Sequence, residues 1–167
     1  MRIVCVGGGP GGLYAALLLR RLDPSADVTV YERNAADDTF GFGVVFSNET
    51  LGAFEAADGP SYAEIERGFV RWDDIDIHYR DKKLTSGGHG FAAMERKRLL
   101  QILQQRALDL GVTVHFRTPA PEPADLADAD LVIAADGANS RTRAAYADVF
   151  RPTLDVRRSR FGLTGGA

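Results

Sequence analysis

The hydrophobic positions change period several times along the chain, and each change marks an element. Arg2-Ile3-Val4-Cys5-Val6 is a short apolar run rich in β-branched residues, which predicts a buried strand. Gly7-Gly8-Gly9-Pro10-Gly11-Gly12 follows at once. Residues 13–22 are rich in Leu and Ala and end in Arg20 and Arg21, the signature of a helix. Val28-Thr29-Val30-Tyr31 predicts a second strand, closing on Glu32-Arg33. Residues 34–46 read as a loop that becomes briefly extended. Ser47 suits the N-cap of a helix over 48–57, with Leu51 and Phe54 facing inward and Asp58-Gly59-Pro60 ending it. A short helix is predicted over 61–67.

Farther on, Val70, Trp72, Ile75, Ile77 and Tyr79 approximate strict alternation. This predicts a strand pair, irregular at Asp73-Asp74, turning at Asp81-Lys82-Lys83 and returning over 84–86. Gly87-Gly88-His89-Gly90 reads as a flexible connection. Residues 94–110 predict a long helix with Leu99, Leu103, Ala107 and Leu110 on one face and Gly111 as its stop. A strand over 112–116, a Pro- and acid-rich loop over 118–128, a buried strand over 131–135 and a short helix over 141–147 complete the pattern. Residues 156–161 read as extended and 162–167 as a tail of small residues. Strands alternating with helices predict an α/β fold: a parallel sheet, helices on both faces and a small antiparallel insertion at about 69–90.

The first 33 residues carry the clearest chemistry. Strand, G-x-G-x-x-G, helix, strand and acid follow one another, with Glu32 placed 20 residues after Gly12. Gly7 allows the tight turn, Gly9 lets a pyrophosphate approach the backbone, and Gly12 lets the helix lie close on the sheet. Pro10 and Gly11 complete the turn, and the helix N-terminus beyond them favours phosphate. Glu32 can accept hydrogen bonds from ribose hydroxyls, with Arg33 beside it. These residues leave FAD and NAD equally open. Asp136 and Gly137 sit just past an apolar strand, at the edge where doubly wound sheets bind ligands, and Ser140 suits a helix cap.

Composition narrows the partners. The net charge of -3 gives no global basic field, so a nucleic-acid partner is not expected. Cys5 is the one cysteine and reads as a small buried hydrophobe, which fits a reducing cytoplasm. No apolar run approaches the length of a membrane span, and no His/Cys/Asp cluster has metal-ligand spacing. Trp72, Phe40, Phe42 and Phe46 read as packing residues, His78 as a strand-surface residue, and His89 as either a solvated loop residue or a contact for substrate or flavin.

Taken together, the glycine-rich turn with Glu32, Arg96 at the start of the long helix, and D-G-x-x-S-x-x-R from Asp136 to Arg143 resemble the single-component FAD-dependent aromatic hydroxylases, the para-hydroxybenzoate hydroxylase family. Phe40-Gly41-Phe42-Gly43-Val44-Val45-Phe46, Gly88-His89-Gly90-Phe91 and Arg96-Lys97-Arg98-Leu99-Leu100 look like its aryl-CoA branch, the salicylyl-CoA 5-hydroxylases and anthraniloyl-CoA monooxygenases. The resemblance implies a Rossmann-like FAD-binding domain over 1–161. It implies FAD as cofactor, NAD(P)H as co-substrate, and O2-dependent hydroxylation of a small aromatic substrate, carried in that branch as a CoA thioester. It further implies that Arg96 approaches the pyrophosphate, that Asp136 and Gly137 serve the flavin side, and that Gly43, Val44 and Val45 line the flavin with backbone. The family's substrate-covering sheet and later G-D motif are not among these residues, so the expectation is the N-terminal FAD-binding part of a larger fold, prone to self-association. A non-catalytic dinucleotide-binding module and an NAD-dependent dehydrogenase are the other readings.

Overall fold

The structure is a computed structural model that describes residues 1–156 and 158. Four parallel strands form its centre: β1 (Arg2–Val6), β2 (Asp27–Tyr31), β8 (Thr113–His115) and β9 (Leu131–Ala134), in the spatial order β8-β2-β1-β9. Helices flank this sheet, as the α/β reading expects. Helix α1 (Pro10–Leu22) is the crossover between β1 and β2, and α4 (Arg96–Asp109) precedes β8. Ile3, Cys5, Val28 and Val30 alternate toward the main apolar core, which they share with Leu13, Leu17, Leu99 and Leu103. Val4 points to the other face and is buried there.

A second layer joins β3 (Gly43–Phe46), β7 (Phe91–Glu95) and β4 (Val70–Trp72) in an antiparallel sheet ordered β3-β7-β4. Phe46, Ala92 and Met94 of this sheet are buried. Helix α2 (Asn48–Ala57) starts at Ser47, whose side chain accepts from the Thr50 N–H, as a Ser N-cap should. Helix α3 (Gly59–Glu66) follows almost at once. Asp58 both ends α2 and caps α3, its carboxylate accepting from the Ser61 N–H at 3.1 Å. A hairpin of β5 (Ile75–Tyr79) and β6 (Lys82–Ser86) projects from the body. Beyond β9 come α5 (Arg141–Ala145) and α6 (Ala147–Phe150).

Three sequence expectations need correction. The strand pair predicted from residue 69 onward is two separate pairings: β4 pairs with β7, and β5 pairs with β6 across a two-residue turn at Arg80-Asp81. The long helix begins at Arg96, because Met94 and Glu95 belong to β7. Phe40 and Phe42 are not packing residues, being 75% and 64% exposed, while Phe46 is buried as expected. The loop over 118–128 contains one 3-10 turn, Pro123–Leu126. The extended stretch predicted over 156–161 lies outside the described residues except for 156 and 158, and the predicted tail lies wholly outside them.

Candidate functional site

A cleft of about 390 Å³ opens at the carboxyl edge of the parallel sheet. Its floor is the turn between β1 and α1. Gly7 takes φ of +104°, and a Cβ there would overlap the Ala135 carbonyl, so the turn needs a glycine to lie against β9. A Cβ on Gly12 would overlap the Gly7 carbonyl oxygen. Gly12 thus serves the packing of α1 on the sheet and is not part of the cleft wall. Gly9 and Gly11 are different. They line the cleft, and a Cβ on either would meet nothing within 4 Å. Their lack of side chains keeps room open rather than relieving a clash. Helix α1 begins without a side-chain cap, and Pro10 at its first position has no N–H to offer. The N–H groups of Gly11 and Gly12 have no intrahelical carbonyl to reach, as at any helix N-terminus, and Gly11 lies in the cleft wall.

Glu32 is held before any ligand arrives. Its Oε2 accepts the Gly8 N–H at 2.7 Å, and its Oε1 accepts both the backbone N–H and the side-chain amide of Asn34 at 2.8 Å each. A carboxylate has about four acceptor positions, so Oε2 retains one for a ribose hydroxyl. Gly8 occupies a variable position of the motif, yet a Cβ there would press on the Glu32 side chain at 2.8 Å. Arg33 and Asn34 line the cleft beside Glu32. Gly8 and Asn34 were missed in the sequence. The signal was available: an Asn two residues past the acid can bond back to it.

Opposite the glycine turn stands Arg96, the first residue of α4. Its backbone N–H donates to the Phe42 carbonyl at 3.1 Å, which ties the start of α4 to the loop before β3. Its Nε is buried with no hydrogen-bond partner among the described residues. A buried unpaired guanidinium nitrogen is costly, and an anionic ligand beside it removes that cost. At the third side, Asp136 does not present a free carboxylate. Oδ1 accepts from Ser140 Oγ at 2.6 Å, and Oδ2 accepts from the N–H and hydroxyl of Thr142 at 3.1 and 3.3 Å. Burial pushes the Asp136 carboxyl up, but these hydrogen bonds outweigh it and hold the pKa below the ordinary aspartate value. Gly137 follows with φ of +82°. Asp136 therefore shapes the turn into α5, with Ser140 also capping the Arg143 N–H at 2.9 Å.

The remaining wall is the Pro-rich crossover from β8 to β9. Pro119, Pro121 and Glu122 line the cleft, and Glu122 forms an ion pair with Arg141 of α5. Prolines there read only as loop in the sequence, because what they face is set by the return of β9 to β1. Gly7, Gly9, Pro10, Gly11, Glu32, Arg33, Arg96, Asp136 and Gly137 are thus brought to one cleft. Gly43, Val44 and Val45 lie in β3, outside its lining. Val44 packs on the core, and Val45 is 57% exposed on the outer side.

Residues 5–62 match the family described as an NAD(P)-binding Rossmann-like domain. Over 96% of its length the chain is 48% identical to salicyloyl-CoA 5-hydroxylase of a Streptomyces species. The chain is homologous to one part of that hydroxylase. A second relative, the 3-hydroxy-4-methyl-anthranilyl-[aryl-carrier protein] 5-monooxygenase of Streptosporangium sibiricum, is 35% identical over 92% of the chain. The chain spans about a third of the length of the first relative (31%) and 43% of the second. Among solved structures, a 2-methyl-3-hydroxypyridine-5-carboxylic acid oxygenase superposes with a TM-score of 0.69 at 26% identity, covering 83% of this chain and 40% of that one. Among the described residues no helix is long and apolar enough to cross a membrane.

Proposed function

We propose that the cleft binds FAD and that the chain is the flavin-binding portion of an aromatic-ring monooxygenase that uses NAD(P)H and O2. The observation that carries this reading is that Arg96, whose buried Nε has no partner among the described residues, lines the same cleft as a glycine turn with open space at Gly9 and Gly11. A pyrophosphate fits both: it supplies the anion that Arg96 lacks, and it accepts from the first-turn N–H groups of α1. Glu32, already fixed by Gly8 and Asn34, holds the ribose of the adenosine half. The prolines at 119 and 121 wall that end against water. Asp136, through Ser140 and Thr142, sets the backbone at Gly137 on the flavin side. Flavin, when bound, supplies the redox chemistry by which NAD(P)H, a proton and O2 convert an aromatic C–H to C–OH with release of water. Gly43, Val44 and Val45 are proposed to run beside the ring system. The substrate class is a small aromatic acid carried as a CoA thioester, by analogy with the 48% identical relative. A lone buried Cys5 suits a reducing compartment, and we place the chain in the cytoplasm.

The test is a titration of the purified chain with FAD, followed by flavin fluorescence and by the visible absorption bands. Saturable binding of FAD, tighter than that of NAD+, is the expected result. A chain that takes up no FAD overturns the reading. The family match to an NAD(P)-binding domain supports a second reading, in which a nicotinamide dinucleotide is the resident ligand of a dehydrogenase. Tighter binding of NAD+ than FAD in the same titration establishes that one instead.

A further inference from the structure

Two phenylalanines of the loop before β3 are both left to solvent but stand in different places. Phe40 lines the cleft, and Phe42 does not, although they are 75% and 64% exposed. An apolar ring in the wall of a cleft is surface that a ligand in that cleft can bury. Phe42 offers no such surface to the cleft, so the two rings form a natural pair for comparison.

The segment that carries Phe40 is tied down at both ends. The Ala35 N–H donates to Asp38 Oδ2 at 3.1 Å, and the Asp38 N–H donates to the Ala35 carbonyl at 3.2 Å. Gln104 of α4 donates its side-chain amide to the Ala36 carbonyl at 2.9 Å. At the far end the Phe42 carbonyl accepts from the Arg96 N–H, also of α4. Between these ties the backbone turns at Gly41, with φ of +88°, where a Cβ would sit 4.0 Å from Arg96 Cδ. The loop thus turns against the stem of Arg96, and Phe40 is the next residue of the cleft wall. Arg96 Nε is already withdrawn from water without a partner among the described residues. How dry such a cation is decides how well it holds an anion. A solvated ion contact is weak and screened by salt, whereas one kept from water is stronger and screened much less.

Resting on the reading of the cleft as a dinucleotide site, we propose that Phe40 is a positioning residue for the cofactor: its ring covers the contact between Arg96 and the pyrophosphate and keeps water and salt away from it. Phe40 itself makes no polar contact in this role. It acts through Arg96, by lowering the local dielectric and by burying its own ring against the dinucleotide.

The test titrates the wild type, Phe40→Ala, Phe40→Leu and Phe42→Ala with FAD, by flavin fluorescence, and with ADP, by calorimetry, at about 0.05 M and about 0.5 M NaCl. ADP carries the adenosine and pyrophosphate without the flavin. Phe40→Ala should weaken both ligands roughly five- to twenty-fold at the lower salt. It should also lose clearly more affinity than the wild type on going to the higher salt. Phe40→Leu keeps an apolar cover and should recover most of the salt resistance, and Phe42→Ala should match the wild type. Both rings are largely exposed, so none of these variants should lower Tm. Equal salt dependence in Phe40→Ala and the wild type, equal losses from the two alanine variants, or a loss for FAD with none for ADP overturns the proposal. A wild-type chain that binds ADP but not FAD overturns the flavin reading alone, and the ADP series then decides the role of Phe40. A chain that binds neither overturns both.

Discussion

Glycines at neighbouring positions of one motif do opposite things, and this separates stability from binding at the residue scale. Gly12 is needed because α1 lies on the Gly7 carbonyl; Gly9 is needed only when the cleft is filled. Gly12→Ala should cost roughly 3 kcal/mol and lower Tm by about 10 °C. Gly9→Ala should leave Tm nearly unchanged yet weaken FAD binding sharply. Thermal melts and flavin titrations on the two variants check this, and a stable Gly12→Ala variant would contradict the geometry. Arg96→Met should cost roughly ten- to hundred-fold in FAD affinity, the size of a lost charge-assisted contact, and should not lower Tm in the ligand-free chain. Glu32 shows why a motif is only partly legible. Spacing identifies it as the ribose acid, but its bonds to Gly8 and Asn34 depend on how the turn and the end of β2 meet.

Asp58 dominates at the scale of elements. It is fully buried at the α2–α3 junction and receives both Nε and Nη2 of Arg106 from α4, at 2.9 and 2.8 Å. Arg21 of α1 lies 3.7 Å from the same carboxylate, so four helices meet at one charge. Burial pushes the Asp58 carboxyl up, but the bonds from Arg106 and Ser61 outweigh it and hold its pKa below the ordinary value. A depressed folded-state pKa means that this stabilisation is complete above the unfolded aspartate value near 4 and is lost as pH falls through the folded value. Asp58→Ala should cost about 3 kcal/mol by leaving Arg106 unpaired and α3 uncapped, and should flatten the acid limb of a stability–pH profile. Strands β1, β2 and β9 and helices α1 and α2 were legible because local pattern and caps agreed with the fold. Strand β7 was not. Phe91-Ala92-Ala93-Met94-Glu95 carries helix-favouring residues, and pairing with β3 and β4 on either side overrides that preference. The β4–β7 partnership spans a hairpin, so no local signal announces it.

At the scale of the whole molecule, both strands of the β5–β6 hairpin are exposed along their entire length. Ile75, Ile77, Tyr79 and Leu84 share one face, with Ile77 directly opposite Leu84, and all are exposed. Asp76 meets Lys83 and Thr85 on the other face. A two-stranded ribbon with a bare apolar side is marginal by itself and seeks a partner. Self-association through this face should appear in light scattering as concentration rises, and Ile77→Lys with Leu84→Lys should keep the chain monomeric. Monomers at every concentration would count against it. The parallel sheet has a different consequence, one of timing. Its edge strand β9 is bound to β1 from Arg2, which accepts the Asp130 N–H through its carbonyl, to Val6, which accepts the Ala135 N–H at 2.8 Å. The glycine turn leaves the ribosome ahead of β9, and the strand that braces Gly7 is made more than a hundred residues later. A nascent chain therefore carries a cradle it cannot close, and cofactor capture must wait for nearly all of these residues to emerge. Ligand present during refolding should then raise the yield of native chain without speeding the early collapse of the helices.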